Sequence, residues 1–450
     1  MEAWRISFLP SPETFHVQSA PLLPLLAKEL WEILSGRALW TVLLLMCPLV
    51  GCSFFQAVSL YGEASTAGLQ SPVLANSLSP LDGILVPTLG ASYVAITLLF
   101  PFVAIRVLGL EKESGALRLL VQMPYRSSSL ITAKLAAVLA AWVLSSVPAL
   151  SALAIWRLFG GHLSAPETLN LLFGHLLYGL LVGAIALFAA SVSESAATAA
   201  IVTLAFTIGS WVLDFTVAGH PGLLEWVASL SLTQVLRTFE QGLLSVGLVV
   251  GIGTAVCGFA ALANVWLPPG IHARNKLVRS IVCVLVAAIA LGLATQIRLS
   301  IDVTEDQRNS FPVADQRVLV KLAEPLVVTV IWRRKTPDTR ICSATCWRSW
   351  NGCYRTCQSV WRAGGKASQP MPATIATSPR EILPLLYGLA GVSRPAPAPG
   401  SDYPGYPLVA RGEFALLWFL GGLPLCIAFV WWRSRRLPTN SRKLRKEAQP

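Results

Sequence analysis

Charge is what this sequence has least of. Only 13% of its 450 residues are Asp, Glu, Lys or Arg, roughly half the share of a soluble domain. Histidine is scarce too: the five are His16, His162, His175, His220 and His272, and no two stand at metal-ligand spacing. No G-x-x-x-x-G-K-[ST] occurs, so the chain has no P-loop of its own. The nearest string, Gly364 to Ser368, has Ala367 after its lysine. No G-x-S-x-G or H-E-x-x-H is present. These absences remove nucleotide hydrolysis, zinc proteolysis and serine hydrolysis by known signatures, and no cofactor or metal site is expected. The first twenty residues lack a continuous apolar core, so the first span is expected to insert by itself.

What is present is hydrocarbon, at 54% of residues and in long blocks. A helix needs about 20 apolar residues to cross a bilayer. Eight such stretches are read, near 39–58, 86–108, 130–154, 168–190, 197–217, 243–265, 279–296 and 413–432. A large soluble helical protein would alternate apolar and polar faces, which these do not. The net charge of +12 is read as topology rather than as affinity for nucleic acid. Lys28 and Arg37 precede the first span; Arg106, Lys112, Arg118, Arg126 and Lys134 surround the second link; Arg274, Lys276 and Arg279 follow the sixth span. A basic tail from Arg433 to Lys446 follows the last. All four clusters share one side if both termini are cytoplasmic. The opposite short loops carry only Arg157 and Arg237.

The expected fold is an all-α polytopic membrane protein. A cytoplasmic N-terminus (1–38) contains an amphipathic helix, Leu22 to Trp40, lying in the membrane interface. Then come six spans (39–265), a cytoplasmic linker (266–278) and a seventh span (279–296). An extracytoplasmic region (297–412), an eighth span (413–432) and a basic cytoplasmic tail (433–450) complete the chain. Residues 220–242 read as a short interfacial helix pair.

One polar stretch interrupts the hydrocarbon: "LEKESGALRLLVQMPYRSSSLITAK", Leu110 to Lys134. Leu110, Leu117, Leu120 and Val121 fit one helix face, Gly115 loosens it or admits a close neighbour, Pro124 stops it, and Ser129 or a neighbour caps the next helix. The order Glu111-Lys112-Glu113-Ser114-Gly115, then Leu117, Leu119 and Leu120, then Pro124, then Lys134 resembles the cytoplasmic link of ABC-2 type permeases. The stretch "LLAKELWEILSGRALW" is similar to the interfacial helix that opens such subunits. The resemblance covers about residues 22–265. It implies a permease subunit of an ATP-binding-cassette transporter in a bacterial inner membrane, with export the expected direction. It also implies a separate ATPase subunit and pairing with a second copy or a paralogue. Glu111, Glu113, Gly115, Leu117, Pro124 and Lys134 would couple to the ATPase. An ion-gradient-driven secondary transporter and, behind it, a polytopic membrane enzyme remain as alternatives.

A second resemblance follows the seventh span. Asp302, Thr304, Arg308, Ser310, Leu322 and Pro325 resemble the start of the auxiliary component of gliding-motility-type ABC systems. It implies an extracytoplasmic α/β domain fused to the permease. Within it "DQRVLVKLAEP" reads as a short helix and "LVVTVIW" as a strand. From Val327 to Ile382, however, there is no leucine. Trp332 to Ser368 holds four tryptophans, four cysteines and eight Lys or Arg against Asp338 alone. Three readings stay open for Cys342, Cys346, Cys353 and Cys357: a metal site of unusual spacing, two disulfides, or a locally out-of-frame stretch without chemistry. Cys47, Cys52, Cys257, Cys283 and Cys426 fall in spans, where apolar packing is expected. His175 and Asp214 are the notable polar residues inside spans, and Glu194 reads as a solvated turn residue.

Overall fold

The computed structural model describes residues 22–122, 127–217, 232–268, 270–297, 299–310, 328–332, 341–343, 359–363, 374–375, 387 and 403–436. Among the described residues, seven helices are long and apolar enough to cross a membrane. They are Arg37–Gly68, Leu81–Glu113, Ser127–Leu158, Ala165–Val192, Val246–Trp266, Ala273–Ala294 and Glu413–Arg435, with a shorter apolar helix at Ala196–Val212. They fall on the eight expected stretches. The protein is an all-α polytopic membrane protein.

In chain order the elements are α1 (Leu22–Ser35), α2 (Arg37–Gly68), α3 (Pro72–Asn76), a π-helical turn (Leu81–Leu85), α4 (Val86–Leu99), α5 (Pro101–Glu113) and α6 (Ala116–Gln122). There follow α7 (Ser127–Ser145), α8 (Val147–Leu158), α9 (Ala165–Val192), α10 (Ala196–Val217), α11 (Leu232–Glu240), β1 (Leu243–Ser245), α12 (Val246–Trp266) and α13 (Ala273–Ala294). Three differences from expectation have simple causes. α1 and α2 are separate because Gly36 is extended (φ −68°, ψ 153°). α2 runs 32 residues, about 48 Å at the usual rise, so it outreaches the hydrocarbon. The sixth span opens on three strand residues, because β1 pairs antiparallel with β2 (Ser300–Asp302), Leu243 facing Asp302. Of the interfacial pair expected at 220–242, α11 is described and the earlier part lies outside the described residues.

α9 is the hub, packing on α5, α7, α10, α11 and α12. Helix association in lipid depends on close fit rather than on hydrophobic transfer, and α9 supplies it with glycines. Gly174 lies against the Phe239 ring, Gly179 against Trp142 and Gly183 against Val138. Trp142 stands edge-on to Phe100, and Tyr178 edge-on to Tyr93, with ring centroids 5.0 and 4.9 Å apart. The Tyr178 hydroxyl meets Thr97 Oγ1 at 2.9 Å, which satisfies the polar tip of an otherwise apolar cluster. α13, by contrast, packs chiefly on α12 and leaves Ile281, Leu285 and Ile289 exposed. Of the span cysteines only Cys47 is buried; Cys52, Cys257 and Cys426 are exposed and Cys283 half-buried. Their expected packing role therefore holds for Cys47 alone.

Beyond α13 come β3 (Val328–Trp332), β4 (Ile341–Ser343), β5 (Ser359–Ala363) and β6 (Thr374–Ile375), then α14 (Glu413–Leu417), a second π-helical turn (Trp418–Gly422) and α15 (Leu423–Arg436). The four strands form an antiparallel sheet in the order β4-β3-β5-β6. β3 falls inside the expected "LVVTVIW" strand, and Cys342 pairs in register with Val330. The helix expected at "DQRVLVKLAEP", with Leu322 and Pro325, lies outside the described residues, as do Cys346, Cys353 and Cys357.

Two segments strap the distal end of the bundle, the end at which α2 finishes. In the first, Asp302 accepts from Thr304 N (3.1 Å) and Asn309 N (3.1 Å), the Asn309 amide donates to Gln241 O (2.8 Å), and Glu305 N donates to Glu167 (2.7 Å). Arg308 reaches Asp82 at the start of the second span. In the second strap, Tyr406 stacks on His162, centroids 3.6 Å apart and planes 10° off parallel. Glu305 bonds both rings, His162 Nε2 at 2.9 Å and the Tyr406 hydroxyl. That bond, then burial, pushes the Tyr406 hydroxyl up to about 12. Asp302, Thr304 and Arg308, singled out by the second resemblance, thus hold the post-span segment onto the bundle.

Candidate functional site: a buried charge network at the end of the second span

The Glu111-Lys112-Glu113 run ends α5, and each side chain goes to a different neighbour. Glu111 points inward and is only 4% exposed. Its Oε2 lies 2.6 Å from Nζ of Lys134 on α7, which is fully buried. The same ammonium contacts both oxygens of Glu29 at 3.0 Å and donates to Val107 O at 2.8 Å. Glu29 comes from α1 and is also fully buried. Lys28, at the rim, pairs with Glu111, with Glu29 (3.2 Å) and with Glu32 (3.4 Å). Two buried carboxylates, Glu29 and Glu111, therefore meet two ammoniums where α1, α5 and α7 join, with the exposed Glu32 on the rim as a third acid. Burial raises the Glu29 carboxyl, partly opposed by Lys134. For Lys28 burial pulls downward, and the bond to Glu111 with the nearby glutamates outweighs it, so its ammonium is held above the usual lysine range.

Glu29, Glu32 and Glu111 each bring a carboxylate oxygen within 4.8 Å of the others, a spacing seen around metal ions. Here the Lys134 and Lys28 ammoniums already occupy the cation's place among them.

Lys112 and Glu113 turn toward the junction of the fourth and fifth spans. Lys112 donates to Ser191 O at 3.1 Å and to Ser193 O, placing a cation on the last carbonyls of α9. Glu113 accepts from Ala196 N at 3.1 Å, placing an anion on the first amides of α10. Glu194, in the turn between them, is exposed, as the sequence reading has it.

The stretch expected as one helix is two. The chain turns at Ser114 and Gly115, the latter with φ +75°, and nothing approaches within 4 Å of where a Cβ would stand. Leu110 is exposed before the break, while Leu117, after it, packs on the core. They therefore do not share a face. α7 begins at Ser127, so Ser129 sits inside its first turn and does not cap it. Pro124 lies outside the described residues. Since backbone handedness rather than space constrains Gly115, Gly115→Val should lower thermal stability by about 1–2 kcal/mol. Gly115→Asn should stay near wild type; equal losses in both would point to packing instead.

Of the six residues singled out by the sequence, the structure joins Glu111 and Lys134, puts Glu113 on α10 and Leu117 on the core, and gives Gly115 the turn. Sequence reasoning missed Glu29, Lys28 and Lys112. Its one available signal was three charges, Lys28, Glu29 and Glu32, inside the leucine-rich α1. His175 is buried and bonds Leu171 O of its own helix at 2.9 Å, and it also meets the Leu89 backbone on the neighbouring α4. The Asp214 side chain lies outside the described residues.

A family model described as "ABC-2 family transporter protein" matches residues 23–293, more than half of the chain. The chain belongs to this family. The match begins in α1, takes in the whole network and runs through α13, so the seventh span falls inside it, beyond the expected end at 265. No curated protein and no solved structure matches the chain. The protein is thus a multi-pass membrane permease of an ABC transporter. ABC-2 permeases normally work with a separate ATP-binding subunit. In this ABC-2 permease the network knits the opening helix to the link between the second and third spans.

Proposed function

We propose that the permease exports its cargo across a bacterial inner membrane, driven by a separate ATPase that docks on α6 and the turn before it. Both termini and the charge network then lie in the cytoplasm, with a second copy or a paralogue completing the pathway. One observation carries the docking reading. α6 projects an exposed Leu119 from a turn whose base is anchored, through Glu111, Lys112 and Glu113, to α1, α7, α9 and α10. A push on α6 would pass through the Ser114–Gly115 turn to side chains that bond four helices.

On this reading Glu111 and Lys134 are buried transmitters, Gly115 is the turn, Leu117 seats α6, and Glu113 couples to the fifth span. Pro124 is proposed to end α6 because proline disfavours helix in the residue before it, and to take part in coupling on the resemblance. The strapped segment around Asp302, Thr304 and Arg308 supports fusion to an auxiliary-type component. Co-expression with a candidate ATPase tests the docking. Leu119→Asp should cut co-purification about tenfold or more, the usual scale for losing a central apolar anchor, with membrane insertion unchanged. Undiminished pairing in that variant would move the docking surface elsewhere.

A further inference from the structure

At the distal end, α2 and the π-helical turn border an open cleft of about 420 Å³, within the range of small-ligand sites. Its α2 wall offers Ser53, Gln56, Leu60 and Tyr61; the facing wall offers Ser79 and Asp82. Ser53 stands about 24 Å along α2 from Arg37, and Leu60 about 35 Å, at 1.5 Å per residue. With a hydrocarbon core about 30 Å thick, the cavity straddles the distal membrane interface. Gln56 and Leu60 are exposed, so it opens sideways.

Its shape depends on an irregularity. The turn at Leu81–Leu85 is π-helical, a feature that concentrates at functional positions. Gly83 within it lies so close to the Tyr61 ring that a Cβ would overlap it. Tyr61 is held by its hydroxyl bond to Tyr406 O (2.7 Å) and by its edge-on contact with Trp156.

The lining is mostly apolar with hydroxyls, and Asp82 is its one side chain charged at neutral pH among the described residues. That carboxylate is about half exposed and pairs on one oxygen with Arg308, which does not line the cavity. Among the described lining residues no cation would meet an anionic head, whereas an ammonium could pair with the carboxylate oxygen that Arg308 leaves free. We propose that the cavity binds a single-chain amphipath with a protonated amine head, its tail along Ala57 and Leu60 and its ammonium on Asp82. The site is separate from the docking surface, and its test requires no ATP hydrolysis.

The full chain in phosphatidylcholine nanodiscs would be photolabelled at neutral pH with diazirine-bearing dodecylamine, and separately with the matching dodecyl sulfate. Labelling of 53–64 and 77–87 would be normalised to the lipid-exposed α13. The amine should exceed the sulfate about fivefold there, as one near charge pair allows. Asp82→Asn should bring the ratio near one, and Gln56→Trp should suppress both probes. Arg308→Gln should raise amine labelling by freeing the carboxylate. Equal labelling by the two heads, labelling no higher than on α13, or an unchanged ratio in Asp82→Asn would each overturn the proposal.

Discussion

Replacing Lys134 with methionine is expected to destabilise the permease by about 3–5 kcal/mol, the cost of leaving buried charge unpaired. Lys134 has no exposed surface and touches Glu29 and Glu111 at once. Methionine fills similar volume, so the loss is electrostatic rather than a cavity effect. Glu29 and Glu111 would then share only Lys28. That residue is 37% exposed in its side chain, so Lys28→Met should cost about 1 kcal/mol or less. The double variant Lys134→Met/Glu29→Met removes a buried charge of each sign and should recover a good part of the single loss. Thermal unfolding of the detergent-solubilised chain reads all three. Equal losses for Lys28→Met and Lys134→Met would show that the network does not depend on its buried member.

The same network shows what was legible in the sequence and what was not. The spans could be read because twenty consecutive apolar residues have few soluble explanations, and the link because its charges interrupt them. The direction of those charges could not. Lys134 sits two turns into α7, a helix apolar nearly all round, so periodicity marks no inward face, and its partner Glu29 lies 105 residues earlier. Glu111 reads equally well as a solvated loop acid; only the arrival of α1 above it makes it a core residue. Gly115 reads in the sequence as loosening one helix or admitting a close neighbour. Its positive φ breaks the stretch into two helices, which a run of leucines on both sides disguised. The distal straps were invisible for a topological reason, since His162, Glu305 and Tyr406 meet across separations of 101 to 143 residues or more. The second resemblance marked Asp302, Thr304 and Arg308 without revealing that they fasten the segment to the bundle.

Gly179→Leu is expected to have a second large effect, and at the opposite extreme of chemistry. Nothing polar is changed. Gly179 sits at the middle of α9, and a Cβ there would overlap the Trp142 ring on α7. Trp142 has no room to yield, being fully buried between Phe100 and Tyr178. Overpacking a tight core costs about 1–3 kcal/mol when neighbours can shift. With α7 and α9 forced apart, the upper end of that range or more is expected, together with loss of the 2.9 Å contact between Tyr178 and Thr97. Gly209→Leu on α10 is the matched control, because nothing lies within 4 Å of its Cβ position. There leucine only replaces a poor helix former by a good one, so stability should hold or rise slightly. Tryptophan fluorescence with thermal unfolding separates the cases: Gly179→Leu should shift both signals and Gly209→Leu neither. Parallel losses in the two variants would mean that glycine serves α9 through backbone flexibility, and that the close approach of α7 is not what holds the bundle.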